Sequence, residues 1–146
     1  MSQFLKMFEQ LGAQQFSAGI GMVAPYFSTI DPEVTELRPG YASMILRNQK
    51  KVHNHIGTVH AIAMCNAAEL MAGIVTDASI PAGARWIPAG MSVKYVAKAK
   101  TDLKVEADCS AVDFSQPGEV HIPVVAYDDQ NTLCFTADIT MNVKHA

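Results

Sequence analysis

One acid stands out as a residue that could do chemistry. Glu69 lies within a strongly apolar run from Thr58 to Val75. A carboxylate that loses its hydration must find a partner or act as an acid or base. The alternative is a glutamate that reaches an edge or is capped by a backbone or side-chain donor. Both interpretations are open from the residues alone.

A polar loop, Asn54 to His60, comes directly before that run. If a helix begins there, its first N–H groups and the positive end of its dipole could hold an oxyanion. Gly57 permits an unusual backbone conformation close to a ligand. The alternative is an ordinary polar loop that ends in a cap at Thr58.

The spacing of two candidate residues predicts where a shared site would lie. His60 and Glu69 are nine residues apart, so in a helix they sit on opposite sides and roughly 13 Å apart along the axis. One copy cannot easily direct both side chains at a single group, whereas two copies related by a twofold axis can. A site that uses both residues should therefore lie between subunits.

The elements that position these residues follow from hydrophobic periodicity. The central run is apolar on every side and rich in Ala, Met and Leu, which predicts a buried helix that ends near Gly73. Alternating strands follow it and should be sequential antiparallel neighbours. The order predicts a single α+β domain, 1–146, whose antiparallel sheet wraps the central helix. The predicted elements are an N-terminal helix (1–25), a hairpin (33–47), the central helix (58–75) and four strands (88–144).

Composition bounds the class of protein. Apolar residues make up 49% of the chain and charged residues 17%, with a net charge of −3, which fits one core and predicts no nucleic-acid partner. Cys65, Cys109 and Cys134 are odd in number and widely spaced, so neither a disulfide framework nor a metal site is expected. No signal-peptide pattern or membrane span is evident. A cytoplasmic protein without a membrane partner is the expectation.

The motif residues resemble those of a known family. Asn54, Gly57, His60 and Glu69 are similar to the Asn-x-x-Gly-x-x-His-Gly-Gly…Asp motif of hot-dog fold thioesterases of the phenylacetate-degradation type. The hairpin and four-strand tail are also similar, so the resemblance covers most of the chain. It implies a hot-dog fold and hydrolysis of an acyl-CoA or a related acyl thioester.

The resemblance also implies roles for individual residues. Glu69 would be the general base or nucleophile, and the N–H of Ala61 would be the oxyanion donor. Asn54 would position water or the carbonyl, and His60 would line the site. The resemblance implies a homodimer with the site between subunits, with a homotetramer also common in the family. It implies no cofactor, since coenzyme A is part of the substrate. It also implies that the protein is a hydrolase, because the reaction is the hydrolysis of a thioester.

Three further residues are candidates for substrate binding. Asn66 either contacts the partner subunit's helix or caps a strand carbonyl. Trp86 either lines an acyl tunnel or packs in the core. Lys94, with Arg85, Lys98 and Lys100, either meets coenzyme A phosphates or belongs to a solvated charged face.

Two departures from the motif leave other functions open. His-Gly-Gly is here His60-Ala61-Ile62, and Asp is here Glu69. The family's Ser or Thr at the start of the next strand is replaced by Pro88 or Ala89. A non-hydrolytic acyl- or aromatic-ligand-binding protein is the main alternative. An enoyl-CoA hydratase or dehydratase ranks last, because a Gly-His-Phe-Pro type loop is lacking.

Overall fold

The sheet wraps one long helix, as the strand periodicity predicts. The computed structural model describes residues 2–146, and its six strands form one sheet in the order β1-β2-β4-β5-β6-β3, with every neighbouring pair antiparallel. The elements are α1 (Gln3–Val23), a 3₁₀ helix (Pro25–Ile30), β1 (Glu33–Arg38), β2 (Tyr41–Leu46), a second 3₁₀ helix (Lys50–Val52), α2 (Ala61–Ser79), β3 (Arg85–Tyr95), β4 (Leu103–Asp108), β5 (Gly118–Tyr127) and β6 (Leu133–Lys144).

The position of β3 corrects the prediction that the last four strands are sequential neighbours. β3 pairs with β6 at the edge of the sheet, and β4 pairs instead with β2 and β5. The chain from 96 to 102 therefore crosses from one edge of the sheet to its middle. β3 also begins at Arg85 and contains Pro88, whose missing N–H is tolerated beside the register shift at Pro88/Gly90.

The central helix is shifted towards the C-terminus relative to its predicted bounds. α2 spans Ala61–Ser79 rather than 58–75, because His60 adopts an extended backbone and caps the helix. Its end lies just before Pro81, which cannot continue a helix. Gly73 lies in the middle of the helix, not near its end. Although α2 is long and apolar enough to cross a membrane, 67% of its most apolar window is buried in the fold.

The N-terminal helix covers the open side of α2. α1 is kinked at Gly12, where φ is 80° and ψ is 169°, so the predicted continuous helix consists of two segments. Phe16 and Ile20 of the second segment are buried. The Ser17 hydroxyl accepts the Val34 N–H at 2.8 Å, which fixes α1 to the start of β1.

Candidate functional site

Two concave regions along α2 are lined by the candidate residues. The first, the inner cavity, has a volume of about 240 Å³ and is lined by Phe4, Ile20, Ala24, Phe27, Glu69, Leu70, Gly73, Ile74, Trp86 and Pro88. The second, the outer groove, has a volume of about 400 Å³ and is lined by Tyr26, Thr29, Ile30, Lys51, Val52, His53, His60, Ile62, Ala63 and Asn66. Glu69 and His60 thus line different regions of the same chain, on different sides of α2.

The inner cavity places one carboxylate among apolar side chains. Glu69 is the single charged residue among those that line it. Its side chain is half-buried rather than fully buried, since the polar face of α2 is left partly open. The carboxylate is therefore accessible from solvent, while the other side chains that line the cavity with it are mainly apolar.

A row of residues on α2 extends the inner cavity. Glu69, Gly73 and Asp77 follow one another at four-residue spacing, so they lie on successive turns of the same side of the helix. The Trp86 ring packs onto Gly73 so closely that a Cβ there would lie 2.9 Å from Cη2. Trp86 thus lines the cavity with Glu69 and also packs against the core.

Asp77 is a structural residue that lies beyond the predicted end of the central helix at residue 75. It lies within α2 and accepts the Trp86 Nε1–H at 3.0 Å through Oδ1. Its Oδ2 accepts the Phe4 N–H at 3.3 Å. One carboxylate therefore holds the indole and the start of α1 together. The four-residue spacing of Glu69, Gly73 and Asp77 was the sequence signal that could have indicated this row.

The outer groove begins at the N-terminus of α2. The His60 Nδ1 accepts the Ile62 N–H at 3.0 Å, which leaves the proton of the neutral ring on Nε2. Ala61 is the first helical residue, so its N–H has no intrahelical acceptor. The groove is lined by one lysine and two histidines and by no acidic residue. Lys51 is paired with Asp31 beside the groove, so the groove is polar, whereas the inner cavity is mainly apolar.

The loop before α2 is held closed by the side chain of one of its own residues, Asn54. The Asn54 Oδ1 accepts the N–H groups of Ile56 (3.1 Å) and Thr58 (3.0 Å), and its Nδ2 donates to the Thr58 hydroxyl. Gly57 has φ +80°, a left-handed conformation that favours glycine. Asn54 shapes the loop here, and one amide hydrogen remains for another partner.

The remaining candidates fall at different distances from the two regions. Asn66 lines the outer groove, where its Nδ2 donates to the Thr29 hydroxyl at 3.1 Å rather than to a strand carbonyl. Its Oδ1 is buried without a partner among the described residues. Lys94 is exposed near the far end of β3, eight strand residues or roughly 26 Å from Trp86.

A third surface joins the outer face of α2 to the sheet edge. The Cys65 thiol is half-buried, and its pKa is raised by burial, an effect partly offset by a hydrogen bond with Tyr95. Ile87, Met91 and Tyr95 of β3 are 62%, 40% and 57% exposed. The free edge of β3 therefore carries apolar side chains that this chain leaves uncovered. Within residues 2–146, no group of three or more His, Cys, Asp or Glu side chains could hold a metal ion.

Three solved structures with the same architecture cover from 78% to 99% of this chain. A structural-genomics crystal structure is 56% identical, with a TM-score of 0.91 over 99% of this chain and 97% of that chain. A Pseudomonas aeruginosa protein described as a probable thioesterase is 20% identical, with a TM-score of 0.80 over 92% of this chain and 94% of that one. A Streptococcus mutans protein bound to acetyl-CoA is 15% identical, with a TM-score of 0.68 over 78% and 89% of the two chains.

These likenesses show the fold of the protein. The chain has the hot-dog fold found in structures described as thioesterases, which confirms the predicted fold and the resemblance to that superfamily. A family model described as a domain of unknown function (DUF4442) matches residues 12–143, and the chain belongs to that family. No curated protein matches the sequence.

Proposed function

We propose that the protein is a thioesterase that hydrolyses an acyl-CoA or a related acyl thioester. The observation that carries this proposal is the position of Glu69, the single acid that lines an otherwise apolar cavity. The structures described as thioesterases share the fold, and the Streptococcus mutans relative binds acetyl-CoA. Together they support an acyl group in the cavity and a coenzyme A thioester at its mouth.

The chemistry needs a base and donors for a developing negative charge. Glu69 takes a proton from water as the water oxygen attacks the carbonyl carbon, and the carbonyl oxygen becomes an oxyanion. The N–H of Ala61, at the positive end of the α2 dipole, donates to that oxyanion. When the carbon–sulfur bond breaks, the thiolate leaves and takes up the proton that Glu69 received from water, which restores the carboxylate. The products are a carboxylic acid and a free thiol.

The two halves of this site come from two copies of the chain in the proposed enzyme. Glu69 and His60 line different regions of one chain, so a thioester between them needs a second subunit. The free edge of β3, with exposed Ile87, Met91 and Tyr95, offers an antiparallel pairing surface that a twofold axis would generate. A homodimer is thus the smallest active assembly, and a homotetramer would pair two such dimers.

The other proposed binding residues differ in how close they lie to the two regions. Trp86 lines the cavity with Glu69, and Asn66 lines the outer groove with His60, so both would contact substrate. Gly57 lies in the loop before α2, where the lack of a side chain leaves open space in which the coenzyme A part could approach the backbone. Lys94 would reach the phosphates only from the partner subunit, because it lies far along β3 from Trp86.

Thiol release over a panel of acyl-CoAs tests this function. We expect the wild-type protein to release free thiol and Glu69→Gln to lose about a hundredfold or more of that rate, the usual worth of a general base. Glu9→Gln is the matched control, because Glu9 is an exposed acid on α1. Equal rates for wild type and Glu69→Gln would remove Glu69 from the mechanism.

A second candidate function is non-hydrolytic binding of an acyl or aromatic ligand. The specific observation in its favour is Asn54, whose carboxamide is engaged within its own loop and is thus less free to position water. Under this function, acyl-CoA would raise the melting temperature without thiol release. Thiol release that depends on Glu69 would exclude it.

A further inference from the structure

We propose that Trp86 is the end wall of the acyl site and sets the maximum length of the acyl group. This inference rests on the proposed function, because it assigns the inner cavity to the acyl chain. It names Trp86 as a specificity-determining residue, with Gly73 and Asp77 as the positioning residues that hold its ring.

The indole closes the inner cavity one helical turn beyond Glu69. Gly73 and Ile74 are the last residues of α2 in the cavity lining, and the Trp86 ring packs directly onto Gly73. A more open groove of about 200 Å³ is lined by Arg85, Ile87, Asn142 and Lys144, whose side chains alternate to the face of the sheet opposite the indole, so this groove does not continue the cavity. Removing the indole would lengthen the cavity by the space that the ring occupies.

Three contacts fix the indole in this position. The ring edge packs onto Gly73, where even a methyl group would lie 2.9 Å from Cη2. Asp77 accepts the indole N–H at 3.0 Å and also holds the first turn of α1. A ring held by packing and by a hydrogen bond has few alternative rotamers, so the wall is rigid rather than adaptable.

The volume of the inner cavity identifies the class of acyl group. An apolar cavity of about 150 Å³ is enough to bind benzene, and this cavity has about 240 Å³. By proportion, it accommodates on the order of six to ten carbon atoms. The preferred substrates are thus medium-length or compact cyclic acyl groups, whereas a hexadecanoyl chain is too long while Trp86 is present.

The single tryptophan also provides a direct measurement. Because Trp86 is the only Trp in the chain, its fluorescence reports a ligand that reaches the wall. Titration of the wild-type protein with straight-chain fatty acids, from butanoate to hexadecanoate, should give the largest saturable change near octanoate. Thermal stabilisation by the same acids should follow the same order. A response that grows steadily through hexadecanoate would overturn the proposal.

Variants of the wall and of its support complete the test. Trp86→Ala should raise hydrolysis of hexadecanoyl-CoA relative to octanoyl-CoA about tenfold or more, and Asp77→Ala should shift it in the same direction. Trp86→Phe, which keeps an aromatic ring, should give a smaller shift and serves if Trp86→Ala does not fold. Asp129→Ala, an exposed loop acid, should leave the preference unchanged. An unchanged length preference in both Trp86 variants would refute the wall.

The failure of the wall and the failure of the proposed function give different results. If the wild-type protein hydrolyses no acyl-CoA but binds fatty acids with a length limit that Trp86→Ala removes, only the hydrolytic function fails. If it hydrolyses acyl-CoAs with the same length preference in every variant, only the wall fails.

Discussion

The inner cavity and the outer groove lie on the same helix, yet they differ in nearly every physical respect. The inner cavity is apolar, is roofed by α1 and contains one acid. The outer groove is larger, polar and lined by a lysine and two histidines. A thioester has matching parts: an apolar acyl chain and a polar, anionic coenzyme A. Under the proposed function, the two regions would hold the two ends of one substrate, each region being contributed by a different subunit.

The largest effect within the outer groove should come from a single backbone N–H. Ala61→Pro removes the proposed oxyanion donor, while proline is well tolerated at the first position of a helix and His60 already has the extended conformation that proline requires of its predecessor. We expect thiol release to fall about a hundredfold with little change in melting temperature. Ala61→Ser, which keeps the N–H, is the control. Undiminished activity in Ala61→Pro would assign the oxyanion to another donor.

The roof of the inner cavity should matter mainly for stability. Ile20 of α1 is 1% exposed, so Ile20→Ala should lower the free energy of unfolding by about 2–4 kcal/mol through lost burial and a residual void. Chemical denaturation measures this change. Met22→Ala is the control, since Met22 on the same helix is 84% exposed and should cost almost nothing. Equal effects of the two changes would mean that α1 does not pack as described.

The cap of α2 should have a smaller effect. His60→Ala removes the acceptor of the Ile62 N–H and should lower the free energy of unfolding by about 1 kcal/mol. His60→Asn supplies another capping acceptor and should restore most of that loss. Denaturant midpoints of the three proteins measure the difference. If the alanine and asparagine variants were equally stable, the ring would not act as a cap.

The smallest effect should come from Asp102, which accepts hydrogen bonds from Arg47 and Asn48 directly after the end of β2. The pKa of Asp102 is lowered by the Asn48 N–H that it accepts at 2.7 Å and by Arg47 at 2.9 Å. Because the pKa of Asp102 is lower in the folded protein than in the unfolded chain, where it is about 4, the ionised carboxylate stabilises the fold at pH values above about 4. This stabilisation is lost as the pH falls through the pKa of the folded protein. Asp102→Asn should therefore cost at most about 1 kcal/mol at pH 7.

Melting curves of Asp102→Asn and wild type between pH 7 and pH 2 check this prediction. The difference in melting temperature between the two proteins should decrease once the pH drops below about 4. A gap that stays constant over this range would show that the carboxylate charge contributes nothing.

The sequence predicted the parts of this arrangement that depend on local pattern. Period-two alternation identified the strands, and the apolar run around Glu69 identified the central helix. The position of β3 at the sheet edge was not predictable, because the sequence of the link between β3 and β4 does not determine that β3 pairs with β6 instead of β4. The contacts of Trp86 with Gly73 and Asp77 join a strand to the middle of a helix. Only the folded chain brings such residues together.

The two-region site also depended on a spacing that the sequence does show. The nine-residue offset placed His60 and Glu69 on opposite sides of a helix, and the structure places them in different regions. Asn54 was harder to interpret, because a carboxamide can bind a ligand or close its own loop. Asn54 accepts the N–H groups of Ile56 and Thr58 because the chain turns at Gly57. The amino-acid types alone do not specify the geometry of that turn.

Mixed dimers test most directly whether two subunits build one site. Glu69→Gln and Ala61→Pro chains carrying different affinity tags are expressed together, and the mixed dimer is isolated by two successive purifications. In such a dimer, one site contains both changes and the other contains neither. We expect about half of the wild-type thiol release per dimer, although each parent dimer is nearly inactive. Activity in the mixed dimer no higher than that of the parents would contradict a site shared between subunits.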